Sequence, residues 1–199
     1  MAWKTMKLRV SGVAPLIHHC GRLADPTSKV AKAIKEIAGK GKDKTDADYE
    51  RMAELEFQGS LYMGDDGPII PAHVLEGAAI NGAKKTKSGP KAKAGMYVMD
   101  HASLQYEGPR TREGLWADES FRIVAGVRIG GKRIIRTRPI FHNWSAEFNV
   151  AFDDQQVNEK DILQWFCTAG IQVGLGDWRP KYGRFTVVKV GDVVEMAAA

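Results

Sequence analysis

The stretch WSAEFNVAFDDQQVNEKDILQWFCTAGIQVGLGDWRPKYGRFTVVKV, residues 144–190, decides the fold. It opens on a strict alternation. Trp144, Ala146, Phe148, Val150 and Phe152 face one way; Ser145, Glu147 and Asn149 face the other. A period of two marks a strand with one buried side. Asn158 then suits a helix N-cap, because its side-chain oxygen can accept from a free N–H of the first turn. The helix it opens, NEKDILQWFCTAGI, carries Ile162, Leu163, Phe166 and Ala169 on an inward stripe. A glycine-rich loop, VGLGDWRPKYGR, leads straight into a last strand, RFTVVKV. The order is strand, helix, loop, strand.

The front of the chain repeats that order with interruptions. Residues 5–13 read as a strand, with Met6, Leu8 and Val10 inward and Lys7 and Arg9 outward. Residues 14–67 read as a polar, mostly helical insertion. Asp25-Pro26-Thr27 opens a first helix with Val30, Ile34 and Ile37 on one stripe, and Thr45 with Asp48 forms a capping box before a second. Pro71 starts a short small-residue helix, PAHVLEGAAINGAKK, with Val74, Ala78 and Ala79 inward. It runs into KKTKSGPKAK, which has no apolar anchor and reads as a mobile basic loop over 84–95. Further strands follow over 95–141, with Pro139 suggesting an edge or a bulge. The whole predicts an α+β chain: one domain over 1–199 with a ferredoxin-like (RRM-like) β-α-β-β-α-β core, a helical insertion after the first strand, and a basic loop insertion.

A formal net charge of +5 is a modest excess, so the distribution of charge matters more than its sum. Two cysteines, Cys20 and Cys167, are too few for a disulfide framework and show no Cys-x-x-Cys spacing. The start, MAWKTMKLRV, lacks the apolar run of a signal peptide, and no apolar run is long enough to span a bilayer. A reduced, cytoplasmic setting with no membrane contact is the expectation.

Three segments together resemble a known family: the N-terminal strand with its long insertion, the run GPIIPAHVLEGAAINGAKK, and the C-terminal helix followed by VGLGDWRPKYGRF and a strand. This layout is similar to the RAMP superfamily (repeat-associated mysterious proteins), and within it to the backbone subunits that line guide RNA in CRISPR effector complexes. The family's Ile-Pro and basic helix end correspond here to Ile70-Pro71 with Lys84 and Lys85. Its glycine-rich loop corresponds to Gly174, Gly176 and Gly183 with Arg179, Lys181 and Arg184. Ala72-His73 stand where serines are usual, Trp178-Arg179-Pro180 interrupts the glycines, and the chain is short for a backbone subunit. A stand-alone relative, such as a phage-encoded one, fits that length. The resemblance implies an RNA- or single-stranded-DNA-binding protein, not an enzyme, whose copies line up head to tail along their ligand as a filament or ring.

The residues give that expectation its chemistry. Glycines at 174 and 176 let backbone approach a phosphate, Arg179, Lys181 and Arg184 neutralise it, and Trp178 and Tyr182 offer flat surfaces for unpaired bases. Lys84, Lys85, Lys87, Lys91 and Lys93 can lie along a phosphate backbone without reading sequence. On KRIIRTRPIF, Lys132, Arg136 and Arg138 share a face with Ile134, expected on the same sheet as Lys7 and Arg9. Each has a plainer reading: a tight turn with core aromatics, a solvated loop, and an edge strand defended by charge. His18-His19 beside Cys20 would need further metal ligands, and only Cys167 and His142 are at hand with no spacing to link them, so neither a metal nor a cofactor is expected. Asp25 sits where some of these subunits carry an RNA-cleaving aspartate, but it also serves as a helix start. A ribonuclease using Asp25 or His18 and His19, and a structural or decoy mimic of a backbone subunit, stand as alternatives.

Overall fold

The structure is a computed structural model that describes residues 3–196; the side chains at 128, 129, 132 and 133 lie outside the described part, Lys132 among them. In chain order the elements are β1 (Trp3–Gly12), β2 (Leu16–Ile17), α1 (Lys29–Gly39), α2 (Asp46–Ser60), β3 (Met63–Gly64), β4 (Gly67–Ile70), α3 (Ala72–Lys84) and α4 (Gly89–Gly95). After them come β5 (Met96–Val98), β6 (Ala102–Ser103), α5 (Arg112–Ala117), β7 (Arg122–Ile129), β8 (Lys132–Phe141), β9 (Ser145–Asp153), α6 (Glu159–Gln172) and β10 (Phe185–Glu195). The fold is mixed α+β with antiparallel sheets. Where the sequence suggests one domain with an insertion over 14–67, the chain groups into two compact units. One takes residues up to Leu16, Gly64–Glu107 and His142 onward; the other takes Ile17–Met63 and Gly108–Phe141.

The first unit is built on a four-stranded sheet in the order β10-β1-β9-β5. Every neighbouring pair is antiparallel, with Leu8 opposite Phe148, Val10 opposite Val187 and Met96 opposite Phe152. Two connections interleave. The chain leaves β1 and returns through α3 to β5, with β9 between them; it leaves β9 and returns through α6 to β10, with β1 between them. The alternation read in the sequence sets the buried side: Met6, Leu8, Val10, Ala146, Phe148 and Val150 are all at most 2% exposed. Phe166 of α6 meets Phe148 with ring centroids 5.4 Å apart. Each large side chain buried this way contributes about 1.5–3 kcal/mol. Asn158 caps α6 by accepting from the Asp161 N–H at 2.9 Å. The small residues of α3 bring it hard against α6: a Cβ on Gly82 would stand 2.1 Å from the Trp165 carbonyl oxygen.

The expected basic loop over 84–95 is a loop only as far as Ser88; Gly89–Gly95 is helix. Pro90 in the first turn presets the backbone. The anchors are small residues, which leave no mark on a hydropathy pattern. Ala92 is fully buried, and a Cβ on Gly95 would stand 2.3 Å from Val157 Cγ2. Lys91 pairs with Asp161 of α6 at 2.6 Å.

In the second unit β2, β8 and β7 form a three-stranded sheet, with β7 and β8 joined by Gly130-Gly131, both at positive φ. Two such residues are what a right-twisted two-residue hairpin turn requires. Thr45 and Asp48 form the expected capping box on α2. The helix α2 packs on β8, with Phe57, Leu61, Leu115 and Phe141 fully buried. Pro139 is not at a sheet edge: β8 is the central strand, and the Pro139 carbonyl accepts from the His18 N–H at 3.1 Å.

Arg136 and Arg138 therefore belong to a different sheet from Lys7 and Arg9. They do not form an open cationic face. Arg138 is 6% exposed, and both guanidiniums turn to the buried carboxylate of Glu56 on α2: Arg136 donates to Glu56 Oε1, and Arg138 lies 3.8 Å from Oε2. The Thr137 N–H also donates to Glu56 at 3.1 Å. A buried carboxylate is costly unless it is paired and hydrogen-bonded, and this arrangement supplies both.

Candidate nucleic-acid interface

The loop between α6 and β10 is held by its backbone. As α6 ends, the Val173 and Gly174 N–H groups both donate to the Ala169 carbonyl, with Gly174 at φ +77°. The Leu175 N–H donates to the Gly183 carbonyl, and the Gly183 N–H donates to Pro15, both at 2.8 Å. At Gly183, φ is +70° and a Cβ would stand 1.8 Å from the Leu175 oxygen, so two strands of loop pass closer than any side chain allows. These glycines thus have a plain structural use.

The residues between them are arranged otherwise. Trp178 sits at φ +51°, a left-handed backbone that is uncommon for a bulky residue. Asp177 Oδ1 accepts from the Trp178 N–H at 3.0 Å, and the indole stands edge-on to Tyr182 with centroids 6.0 Å apart. Such strain persists only where the surroundings over-determine it. The indole is half-buried rather than core. Lys181 lies over the Tyr182 ring at 5.6 Å, and Arg184 Nε donates back to the Pro180 carbonyl at 2.8 Å.

Trp178 and Arg179 line a cleft of about 770 Å³ whose other wall is the end of α3. Lys84 and Lys85, read from a separate motif, are on that wall, with Asn81 one turn earlier. Gly176, Asp177 and Pro180 from the loop and Gln172 and Val173 from α6 complete it. The lining holds three cations and one carboxylate. Lys84 Nζ donates to Asn81 Oδ1 at 3.1 Å, which holds the ammonium at the rim. Of the basic segment's other lysines, Lys87 takes a left-handed φ of +59° where the chain leaves α3, and Lys91 is engaged by Asp161. Lys93 is exposed on α4. Lys87, Lys91, Lys93, Lys181, Tyr182 and Arg184 are not part of the lining.

Lys7 and Arg9 do face outward from the four-stranded sheet, over a second concavity of about 700 Å³. Their charge is answered there. Lys7 Nζ lies 2.7 Å from Glu147 Oε2, and Arg9 Nε donates to Glu147 Oε1 at 2.7 Å. The two donors hold the Glu147 carboxyl below its ordinary pKa. Asp100 adds a further carboxylate. The alternation marks which strand residues point outward; it does not mark Glu147 as a partner, since that pairing depends on register between β1 and β9.

Asp25 is exposed, and its Oδ1 accepts from both the N–H and the hydroxyl of Thr27, at 2.8 and 2.7 Å. Those bonds hold its pKa below the usual value. His18 is 2% exposed and packs on Phe141. Cys20 is half-buried and Cys167 is exposed. Among the described residues, no group of three or more His, Cys, Asp or Glu is placed to hold a metal ion. Asn81 and Gln172 were not singled out by any motif; the one signal for them is their place in the last turns of the two helices that flank the loop. Among the described residues no helix is long and apolar enough to cross a membrane. No protein-family model matches the chain, and no curated protein matches it.

Proposed function

We propose that this protein binds an unpaired strand, RNA or single-stranded DNA, in the cleft between the end of α3 and the α6–β10 loop, and that it does so without cutting it. One observation carries the reading. Two motifs far apart in sequence, the basic helix end and the glycine-rich loop, contribute Lys84, Lys85, Trp178 and Arg179 to a single concavity. Cations beside a half-exposed indole are what a single strand asks for: phosphate neutralisation and a stacking surface. The strand order β10-β1-β9-β5 with two interleaved helical connections supports a ferredoxin-like core. That core, with the cleft, is the ground for keeping a kinship with RAMP-type backbone subunits as the working reading. A lining with one carboxylate, already engaged at the Trp178 N–H, gives no acid–base pair for hydrolysis. Asp25 is tied into its own turn, and His18 is buried.

The test is binding of labelled single strands of mixed sequence across a salt series. Affinity should fall steeply as salt rises. Trp178→Ala should weaken binding by about 1–3 kcal/mol while leaving the melting temperature unchanged. A protein that binds no single strand at low salt, or a Trp178→Ala variant that loses fold and keeps affinity, overturns the proposal. Cleavage that Asp25→Ala abolishes would establish the enzymatic alternative.

A further inference from the structure

The helix α1 carries an apolar stripe, yet none of its residues is buried. Val30, at its start, packs on α2: a Cβ on Gly59 would stand 3.0 Å from Val30 Cγ1. Ala31 and Ile34, one turn apart, line a cavity of about 290 Å³ instead. Leu23 and Ala24 extend that apolar wall. The rest of the lining is Glu56, Arg136, Arg138 and His19, so every lining residue belongs to the second unit. The polar part is unbalanced, with two guanidiniums against one carboxylate. Arg136 donates to Glu56 Oε1, and Arg138 lies 3.8 Å from Oε2. Arg138 Nη1 also donates to the Thr137 carbonyl at 3.2 Å, and Nη2 stands 3.5 Å from His19 Nε2. A guanidinium has donors only, so both of these are uncharged acceptors. It also keeps its charge at every pH the fold survives. The lining therefore carries a surplus positive charge at a side chain that is 6% exposed, where water offsets little of it.

We infer that this cavity is a binding site for a small monocarboxylate with a compact apolar body. The surplus of two guanidiniums over one carboxylate asks for a single negative charge. The planar guanidinium fork matches a carboxylate, which can accept two parallel N–H bonds. Leu23, Ala24, Ala31 and Ile34 have no side-chain hydrogen-bonding group, so what meets them must be apolar. A phosphate fits worse: its oxygens point to all sides, and some would face those four side chains or the Glu56 carboxylate. The volume lies at the lower end of the range for ligand pockets, about 300–1,000 Å³, which keeps the body to a single ring or a short chain. The same occupant would cover Ala31 and Ile34, the part of the α1 stripe that α2 leaves bare. This site stands apart from the strand reading and does not depend on it.

The experiment is calorimetric titration of the full chain with benzoate at constant ionic strength, with benzamide, acetate and inorganic phosphate as comparisons. Benzoate should bind saturably at one site. Benzamide lacks the charge and acetate lacks the body, so each should bind at least roughly tenfold more weakly. Arg136→Gln should weaken benzoate roughly tenfold, the loss of one charge-assisted hydrogen bond. Glu56→Gln should act the other way and tighten it, because the positive surplus grows; a site in which the two arginines serve only to hold Glu56 predicts no such gain. Ala31→Phe puts a ring into the cavity from the half-buried face of α1 and should abolish binding with every charge in place. It decides the matter should Glu56→Gln not fold, as judged by its melting curve. No saturation below about 10 mM benzoate overturns the assignment. So does equal affinity for benzamide or for inorganic phosphate, or benzoate binding that Ala31→Phe leaves unchanged.

Discussion

His18 is a titratable ring placed where its charged form has no support. Its Nδ1 accepts from the Tyr62 N–H at 3.4 Å, so the proton sits on Nε2, which is buried without a hydrogen-bond partner. Phe141 and Tyr62 lie against the ring at 4.9 and 5.5 Å. Burial lowers its pKa to about 3. The unfolded chain titrates near the ordinary value of 6.5, so between pH 6.5 and 3 unfolding takes up a proton. This group's cost to stability is absent above pH 6.5 and grows as pH falls, by about 1.4 kcal/mol per unit. Chemical denaturation at neutral pH and down to about pH 4 should show the unaltered protein losing stability faster than His18→Gln, which keeps an acceptor for Tyr62 and does not titrate; parallel pH profiles would refute this. Gly183 gives a second test at the same scale. Gly183 and Gly191 share a positive φ, +70° and +76°, but only at Gly183 would a Cβ strike backbone. Gly191→Ala should cost about 1 kcal/mol for the backbone alone. Gly183→Ala should cost several times that in denaturant unfolding.

Between elements, what was legible follows from which signals are local. The strands β1 and β9, the caps at Thr45 and Asn158, and the helix after Pro71 rest on periodicity or on a bond spanning three residues, and a sequence shows both directly. The helix α4 rests on Ala92 and Gly95 fitting under neighbours, which no hydropathy pattern records. The partners that engage Lys7, Arg9, Arg136 and Arg138 come from other elements, so a cationic face read from one strand carries no sign of the carboxylate opposite. The cleft itself was half legible: both motifs stood out, and their meeting depends on α3 and α6 packing through Gly82. This sorts the lysines of the basic segment. For single strands each neutralised phosphate contributes about 0.7 to the slope of log affinity against log salt. Lys84→Ala with Lys85→Ala should therefore lower the slope by about 1.4. Lys91→Ala should leave it unchanged, because Asp161 already holds that ammonium. Equal losses from both variants would mean the strand runs over α4 rather than through the cleft.

At the scale of the whole molecule, the second unit is assembled from two separated segments, Ile17–Met63 and Gly108–Phe141. The two segments complete each other. The helix α2 buries the Glu56 carboxylate against β8 and sets Phe57 edge-on to Trp116 of α5, and both β8 and α5 arrive from the second segment. Deleting 28–60 would remove α2 and leave Arg136 and the buried Arg138 without the Glu56 carboxylate, so that variant should aggregate and report nothing about binding. Excising both segments and closing each gap with a short glycine-serine linker removes the unit as a whole. What remains keeps the sheet β10-β1-β9-β5, both flanking helices and every residue lining the cleft. If copies of this protein line up along a strand, something outside one cleft must join them, because a strand site confined to a cleft of about 770 Å³ would hold few nucleotides. A head-to-tail contact then extends without closing, and linked sites gain affinity from local concentration. The second unit is the part of the chain that the cleft does not use. The expected outcome is that the full chain binds long strands cooperatively and forms particles whose size in light scattering grows with strand length. The excised form should bind short strands with the affinity of the full chain and bind long ones as independent sites. Cooperativity that survives the excision would place the joining surface on the first unit. A full chain that stays monomeric on a saturated long strand would end the assembly proposal while leaving the cleft's chemistry untouched.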